Sequence, residues 1–372
     1  PRSTLFPYTT LFRSMKKYDT HKSVLFSDPV IFQEAMIRDI ALAESYIYLE
    51  IYKFRNDESG IKFRDALAER AEKGIKVKVL VDSWGTDVSE VFFEPVVRFG
   101  GEVRFFKKIR FFIDFFTKNH RRNHRKLLII DDKITYLGSA NINAYSLKWR
   151  ELMLRLDGPI TLDFKKTFQE SFRLYRKYIF NKFAFKKPIV HGDFEIVQDL
   201  PSIYRQLIKK RYETLFRKAK HEIFIETPYF LPGYKLRRIM MLAARRGVNV
   251  NVIIPLHSDV RSVDFLRGKY MEFYYKNNIH IHHYTAGNLH SKCVLVDNDI
   301  FAIGSANFDY RSFRYQHEIM LFGKNREIIS QLKAHIQQTL EMSIPFDYDS
   351  WRTRPLFEKV MGWLLIPFRH LF

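Results

Sequence analysis

One stretch of this chain occurs twice. HRKLLIIDDKITYLGSAN, His124 to Asn141, returns as HSKCVLVDNDIFAIGSAN, His290 to Asn307, with the polar landmarks at the same spacing, His-x-Lys-x4-Asp-x6-Gly-Ser-x-Asn. Upstream, YIYLEIYKF (Tyr46 to Phe54) is matched by IFIETPYFL (Ile223 to Leu231), and GIKVKVLVD (Gly74 to Asp82) by GVNVNVIIP (Gly247 to Pro255), at similar displacements. Similarity over several segments implies a duplicated unit, so the fold is expected to consist of two similar halves.

Within each half the pattern reads as strand, helix, strand and then the motif strand. LAERAEKGIKVKVLVD and MLAARRGVNVNVIIP each carry a helix closed by glycine and a β-branched run suited to a buried strand, which predicts an α/β fold with mixed sheets. The 372 residues, 46% of them hydrophobic, suffice for two such cores. The boundary is placed where aromatics and lysines end in a proline, near Phe180 to Pro188. This gives a first half at 15–185, a second at 186–343 and an amphipathic tail at 344–372. Pro1 to Ser14 resembles a translated sequencing adapter and stops before Met15, so it is excluded from fold reasoning.

The paired motif has chemical content. In an extended strand residues i and i+2 share a face, so His124 and Lys126 project together, as do His290 and Lys292. Two cationic groups side by side before a buried run repel unless an anion lies between them, and a phosphate removes that conflict. Gly138 and Gly304 are expected to let the backbone approach a ligand, and Ser139, Asn141, Ser305 and Asn307 to donate to phosphate oxygens. Glu151 and Glu318 follow the two histidines at nearly equal distances, suited either to holding an imidazole tautomer or to a surface ion pair. Asp131 and Asp297 fall on the opposite strand face from the lysines, so a structural role in pairing or turn formation is expected. A lone histidine is commonly structural; two complete copies of the motif are not a chance arrangement.

Composition narrows the partners. The lone cysteine, Cys293, offers neither a disulfide framework nor a zinc pattern, and a reducing compartment is expected. Lys and Arg number 62 against 41 Asp and Glu, a net charge of +21, which favours an anionic partner such as a phospholipid surface or nucleic acid. No apolar run is long enough to span a bilayer.

HRKLLIID with GSAN and HSKCVLVD with GSAN resemble the two HKD motifs of the phospholipase D superfamily. TPYFLPGYKL (Thr227 to Leu236), AARRGVNVNVIIP (Ala243 to Pro255) and NFDYRSF (Asn307 to Phe313) are similar to bacterial cardiolipin synthases, in particular shorter members without membrane-spanning N-terminal helices. The resemblance implies two α-β-α sandwich halves packed with pseudo-two-fold symmetry around one active site. It also implies a metal-free and cofactor-free phosphatidyl transfer from phosphatidylglycerol to phosphatidylglycerol or phosphatidylethanolamine. His124 would be the nucleophile and His290 the general acid, with the reverse order open to the sequence. Lys126, Lys292, Asn141 and Asn307 would hold phosphoryl oxygens, with Glu151 orienting His124 and Glu318 the other imidazole. The expected location is cytoplasmic, on the inner face of the cell membrane.

Two segments bear on membrane contact. KKIRFFIDFFTKNHRRNH (Lys107 to His124) reads either as an interfacial loop or as packing between the halves. PLFEKVMGWLLIPFRHLF (Pro355 to Phe372) reads as a surface-lying anchor or as a tail docked on its own domain. Water as acceptor would make the chain a phospholipase D hydrolase. A nuclease of the superfamily would use the same histidines on nucleic acid but would need neither apolar segment. A catalytically inactive binding module is disfavoured by the completeness of both motifs.

Overall fold

In the computed structural model the described residues are 22–106, 121–176, 186–202 and 204–371. The expectations placed on Pro1 to Ser14, on the Phe-rich run before Arg121 and on most of the Phe180 to Pro188 boundary lie outside them.

The duplication is written into strand order. The first sheet comprises β1 (Ser23–Phe26), β2 (Tyr46–Ile51), β3 (Lys76–Asp82), β4 (Glu102–Phe106), β5 (Leu127–Ile130), β6 (Ile134–Gly138) and β7 (Met153–Asp157), ordered β1-β7-β6-β5-β2-β3-β4. The second contains β8 (Ile189–His191), β9 (Phe194–Asp199), β10 (Glu222–Glu226), β11 (Asn249–Pro255), β12 (Ile279–Tyr284), β13 (Cys293–Val296), β14 (Ile300–Gly304), β15 (Glu318–Gly323) and β16 (Ser343–Pro345). Its order is β16-β12-β11-β10-β13-β14-β15-β9-β8, so seven consecutive strands repeat the first sheet and β16 and β8 are added at the edges. β2, β3 and β4 run parallel, as do β10, β11 and β12, while the motif strands join through antiparallel hairpins. Both sheets are therefore mixed, as the sequence predicts.

The helices complete two sandwiches that share an interior. On the first sheet's outer face lie α1 (Pro29–Ala41), α2 (Glu58–Glu72) and the short α3 (Glu94–Arg98), through Phe32, Phe63, Leu67 and Val96. Between the sheets lie α4 (Thr161–Leu174) and, from the second half, the equivalent helix over Arg326–Glu341. Phe164, Phe168, Leu332 and Ile336 pack there with Leu127, Leu154, Leu295 and Leu321 in one buried cluster. On the second sheet's outer face are α5 (Leu207–Lys218) and α6 (Tyr234–Arg245), through Ile208, Tyr212, Ile239 and Met240. A continuous apolar interior holds the halves together, because separating them would expose aliphatic and aromatic side chains from both sheets. The remaining helices are α7 (Arg261–Gly268), α8 (Met271–Lys276), α9 (Tyr310–Tyr315), α10 (Arg326–Glu341), α11 (Tyr348–Arg352) and α12 (Leu356–Leu364).

Local signals explain the boundaries. Gly74 and Gly247, directly after α2 and α6, have φ of 81° and 89°, the left-handed conformation that ends a helix without a Cβ penalty. Asp131 and Asp132 both have φ of 54°, and Asp297 and Asn298 have 54° and 50°, as a tight hairpin turn requires. The Asp131 carboxylate accepts from the backbone N–H of Glu44, Ser45 and Tyr46, and Asp297 accepts from Lys220, His221 and Glu222. The motif aspartates thus tie each hairpin to the start of the neighbouring antiparallel strand, β2 or β10.

One expected boundary differs. The segment placed in a separate tail from residue 344 begins inside β16, whose Ile344 and Pro345 pair with His283 and His282 of β12. The cause is an open sheet edge, which accepts the returning chain as a further strand.

Candidate active site

The two halves cross over at the motif histidines. The backbone N–H of His124 donates to the His317 carbonyl at 3.0 Å, and His290 donates to the Arg150 carbonyl at 2.8 Å. Each histidine is thereby seated beside the glutamate of the opposite half. His124 Nδ1 lies 3.0 Å from Glu318 Oε1, and His290 Nδ1 lies 2.8 Å from Glu151 Oε1. The expected pairing of Glu151 with His124 is therefore incorrect. The residues preceding each His and each Glu form short parallel bridges, Asn123 with His317 and Leu289 with Arg150, and these bridges set the crossed arrangement. All four side chains are buried. With Nδ1 on a carboxylate, Nε2 of each ring is left for the site.

The serines and glycines of the motif serve this pairing. Ser139 Oγ donates to Glu151 Oε2 at 2.5 Å, and Ser305 Oγ donates to Glu318 Oε2 at 2.5 Å. Both hydroxyls are thus turned to the carboxylates and away from the phosphate role expected of them. The antiparallel partner strand brings each glutamate within reach before any ligand. Gly138 and Gly304 also have a different role from the expected ligand approach: a Cβ on either would stand 2.2 Å from a backbone carbonyl oxygen, that of Leu152 or Ile319. They permit β6 on β7 and β14 on β15 to come close enough for the serine to reach the glutamate. Gly304→Ala is expected to cost about 3 kcal/mol by overpacking against backbone that cannot yield. Denaturant unfolding measures it, and an unchanged midpoint would contradict the steric account.

Lys126 Nζ and Lys292 Nζ each donate to the carbonyl of their own motif histidine at 2.6 Å, and Lys292 Nζ also lies 3.2 Å from His290 Nε2. Asn141 Oδ1 accepts from the Lys53 N–H, which leaves its amide donors for a ligand, while Asn307 Oδ1 is buried without a hydrogen-bond partner. The electrostatics are those of basic groups crowded together in a buried site. Burial, then the charges of Lys126, Lys292 and His290, holds His124 well below the usual imidazole range. Burial also lowers His290, drives Lys126 well below the ordinary lysine value and brings Lys292 down to about 8. On the acidic side, burial raises Glu318 to about 7. Burial acts upward on Glu151 too, but His290, Lys292 and Ser139 outweigh it and hold this carboxyl low. Inserting a phosphodiester anion would reverse the repulsion among four crowded basic groups.

Residues 36–174 and 212–340 match the family described as cardiolipin synthase, PLD-like domain. The chain belongs to this family. A cardiolipin synthase of Clostridium perfringens is 30% identical over 351 residues, covering 89% of this chain and 72% of the relative. The major cardiolipin synthase of Bacillus subtilis is 31% identical over 342 residues, covering 88% and 70%. The fold is similar to that of a phosphatidylserine synthase from Haemophilus influenzae, with a TM-score of 0.74 at 14% identity over 94% of this chain and 95% of that one. A polyphosphate kinase from Porphyromonas gingivalis aligns with a TM-score of 0.61 at 14% identity, over 94% of this chain and 53% of its own.

Several residues of this cardiolipin synthase-family site went unnoticed in the sequence. Tyr52 stands edge-on to His124 at 4.8 Å between centroids with Lys126 Nζ 5.2 Å from its ring, and Trp149 stands edge-on to His290 at 5.5 Å. Arg122, fully buried, is ion-paired with Asp82 at 2.8 Å and supports the chain just before His124. Behind the motifs lie two buried glutamates at equivalent positions. Glu50 accepts from Asn123 Nδ2 at 2.7 Å, while Glu226 accepts from Ser291 and lies 2.9 Å from His335 Nε2. His335 Nδ1 in turn meets Ser27 Oγ at 2.6 Å, which ties the first half to the second. Cys293 adjoins Glu226 and His335, a donor set that a metal could use. His335 has both ring nitrogens hydrogen-bonded, however, and burial pushes the Cys293 thiol well up, so the cluster reads as a hydrogen-bonded tie. The signal was available: a glutamate inside an apolar strand, repeated in both halves, must have buried partners.

Proposed function

We propose that this chain transfers a phosphatidyl group from phosphatidylglycerol to a second phospholipid, phosphatidylglycerol or phosphatidylethanolamine, through a phosphohistidine intermediate. The observation that supports the proposal is the crossed pair of His–Glu contacts, which engages Nδ1 of each ring and leaves Nε2 as the atom for phosphorus, that of His290 with Lys292 Nζ beside it. His124 Nε2 attacks phosphorus and forms a P–N bond as the P–O bond to the glycerol headgroup breaks. His290 gives its proton to the departing alkoxide. The neutral His290 then takes the proton of the acceptor hydroxyl, whose oxygen attacks phosphorus and releases His124. Lys126, Lys292 and the amides of Asn141 and Asn307 hold the phosphoryl oxygens, fixed donors being most effective where water is excluded. Glu318 and Glu151 fix the two imidazole tautomers. The site of action is the inner face of the cell membrane, with the protein peripheral. Among the described residues no helix is long and apolar enough to cross a bilayer.

The test is product analysis with vesicles of phosphatidylglycerol, alone or with phosphatidylethanolamine. Cardiolipin plus free glycerol is expected; phosphatidic acid as the main product would make water the acceptor and overturn the transferase reading. The crowded basic groups add a second expectation. Binding of inorganic phosphate at neutral pH should take up protons, because the anion raises the depressed lysine and histidine values, and affinity should weaken as pH rises through about 8, where Lys292 sheds its proton. Calorimetry in two buffers of different ionisation enthalpy reads the uptake. Identical heats in both would refute it.

A further inference from the structure

The surface of the second half carries one helix whose apolar side faces solvent. In α12 Leu356 is 74% exposed, Phe357 63%, Trp363 65% and Leu364 61%, with Val360 between them and Phe368 on the turn that follows. Leu356, Val360, Trp363 and Leu364 recur at intervals of three and four, so they form one stripe. The opposite side is narrow and fixed: Gly362 is buried, and a Cβ there would stand 2.9 Å from the Phe265 carbonyl oxygen of α7. Around that contact the helix is not sealed. A cavity of about 660 Å³ is lined in part by Phe265, Phe346, Trp351 and Phe357, and one of about 300 Å³ in part by Lys269, Gly362 and Trp363.

We infer that α12 and its following turn are a docking element for an anionic phospholipid bilayer, with the apolar stripe in the headgroup–acyl boundary. This rests on the lipid reading of the active site given above. Between Ser350 and Leu371 the cations are Arg352, Arg354, Lys359 and Arg369 against Glu358 alone, and Lys269 sits 4.1 Å from the Trp363 ring centroid. An apolar stripe flanked by cations matches acyl chains beneath anionic headgroups. A second copy of this chain would bring the same cations face to face across an isologous contact, which charge repulsion opposes. A contiguous exposed apolar face of this kind marks an interaction surface.

The element also touches the rim of the site. The turn at Ile366–Leu371 places His370 4.9 Å from the Tyr310 ring and its Nδ1 3.0 Å from Arg314 Nη1, both on α9, which starts three residues after Asn307. Leu365 and Ile366 pack with Tyr229 and Tyr310 against Leu231, Val263 and Leu266. Docking therefore orients the second half's side of the site towards the lipid surface, through side chains in direct contact.

The test uses the full chain with Leu356→Ser, Val360→Ser and Leu364→Ser combined, all at exposed positions remote from the motif residues. Its affinity for phosphatidylglycerol vesicles in co-sedimentation should fall about tenfold or more, and turnover on vesicles should fall with it. Turnover on a short-chain phosphatidylglycerol kept below its micelle concentration should stay at the parent level. Brominated lipid should quench the fluorescence of the parent more than that of Trp363→Phe. Parent-like vesicle binding by the triple variant, or a dimer that the triple variant dissociates, would overturn the inference. Vesicle binding without any cardiolipin formed would sink the proposed reaction and leave the docking element standing.

Discussion

A chain carrying His290→Asn should strand the phosphatidyl group on His124. With the acid removed, the departing glycerol oxygen loses its proton source and the acceptor loses its base, while the nucleophile and its Glu318 partner stay in place. Turnover should fall by about 10⁴-fold, and phosphatidylglycerol labelled in its phosphorus should leave an acid-labile, alkali-stable label on the protein at His124. His124→Asn should lower turnover about as far and leave no label, since the P–N bond cannot form. Mapping the labelled peptide decides the order that the sequence leaves open: label on His290 in the His124→Asn protein reverses the two roles. Substantial turnover in either variant would remove the shared site altogether. Both histidines are buried and hydrogen-bonded across the halves, so unfolding midpoints of both variants are needed beside the rates.

What the sequence could reveal here follows from how far apart the interacting residues lie. The succession of elements along each half was legible because LLII and CVLV declare buried strands, and Gly74 and Gly247 declare helix ends, within a few residues of themselves. The pairing of His and Lys on one strand face was expected from the i, i+2 spacing, but His124, Lys126, His290 and Lys292 all precede the motif strands, which begin at Leu127 and Cys293. The donors of GSAN were legible as donors, but not the direction in which they point. Ser139 and Ser305 meet a carboxylate from the next antiparallel strand, and Gly138 and Gly304 meet a neighbouring backbone carbonyl, neither of which a one-dimensional pattern records. The partner of each histidine was the least legible feature. Glu151 and Glu318 stand at nearly equal distances after their own histidines, and proximity in the chain favours pairing within a half. Two backbone bridges between the halves decide otherwise, and they rest on the packing of one apolar interior.

That crossing has a thermodynamic signature. If Glu318 serves His124, then Glu318→Gln strips the charge from the buried contact that His124→Asn removes, and their effects on unfolding free energy should fall short of additivity by about 1–3 kcal/mol. His124→Asn with Glu151→Gln should be additive within about 0.5 kcal/mol, because those side chains belong to different pairs. The mirror cycle should couple His290 to Glu151 and leave it uncoupled from Glu318. Each Glu→Gln change alone should slow turnover by about 10²-fold: the amide oxygen still accepts from Nδ1–H, so the ring keeps its orientation, but the charge that steadies the imidazolium is gone. Chemical denaturation of four proteins per cycle measures the couplings. Coupling of His124 to Glu151 in place of Glu318 would return the site to pairing within each half, and the backbone bridges Asn123 to His317 and Leu289 to Arg150 would then have no catalytic consequence.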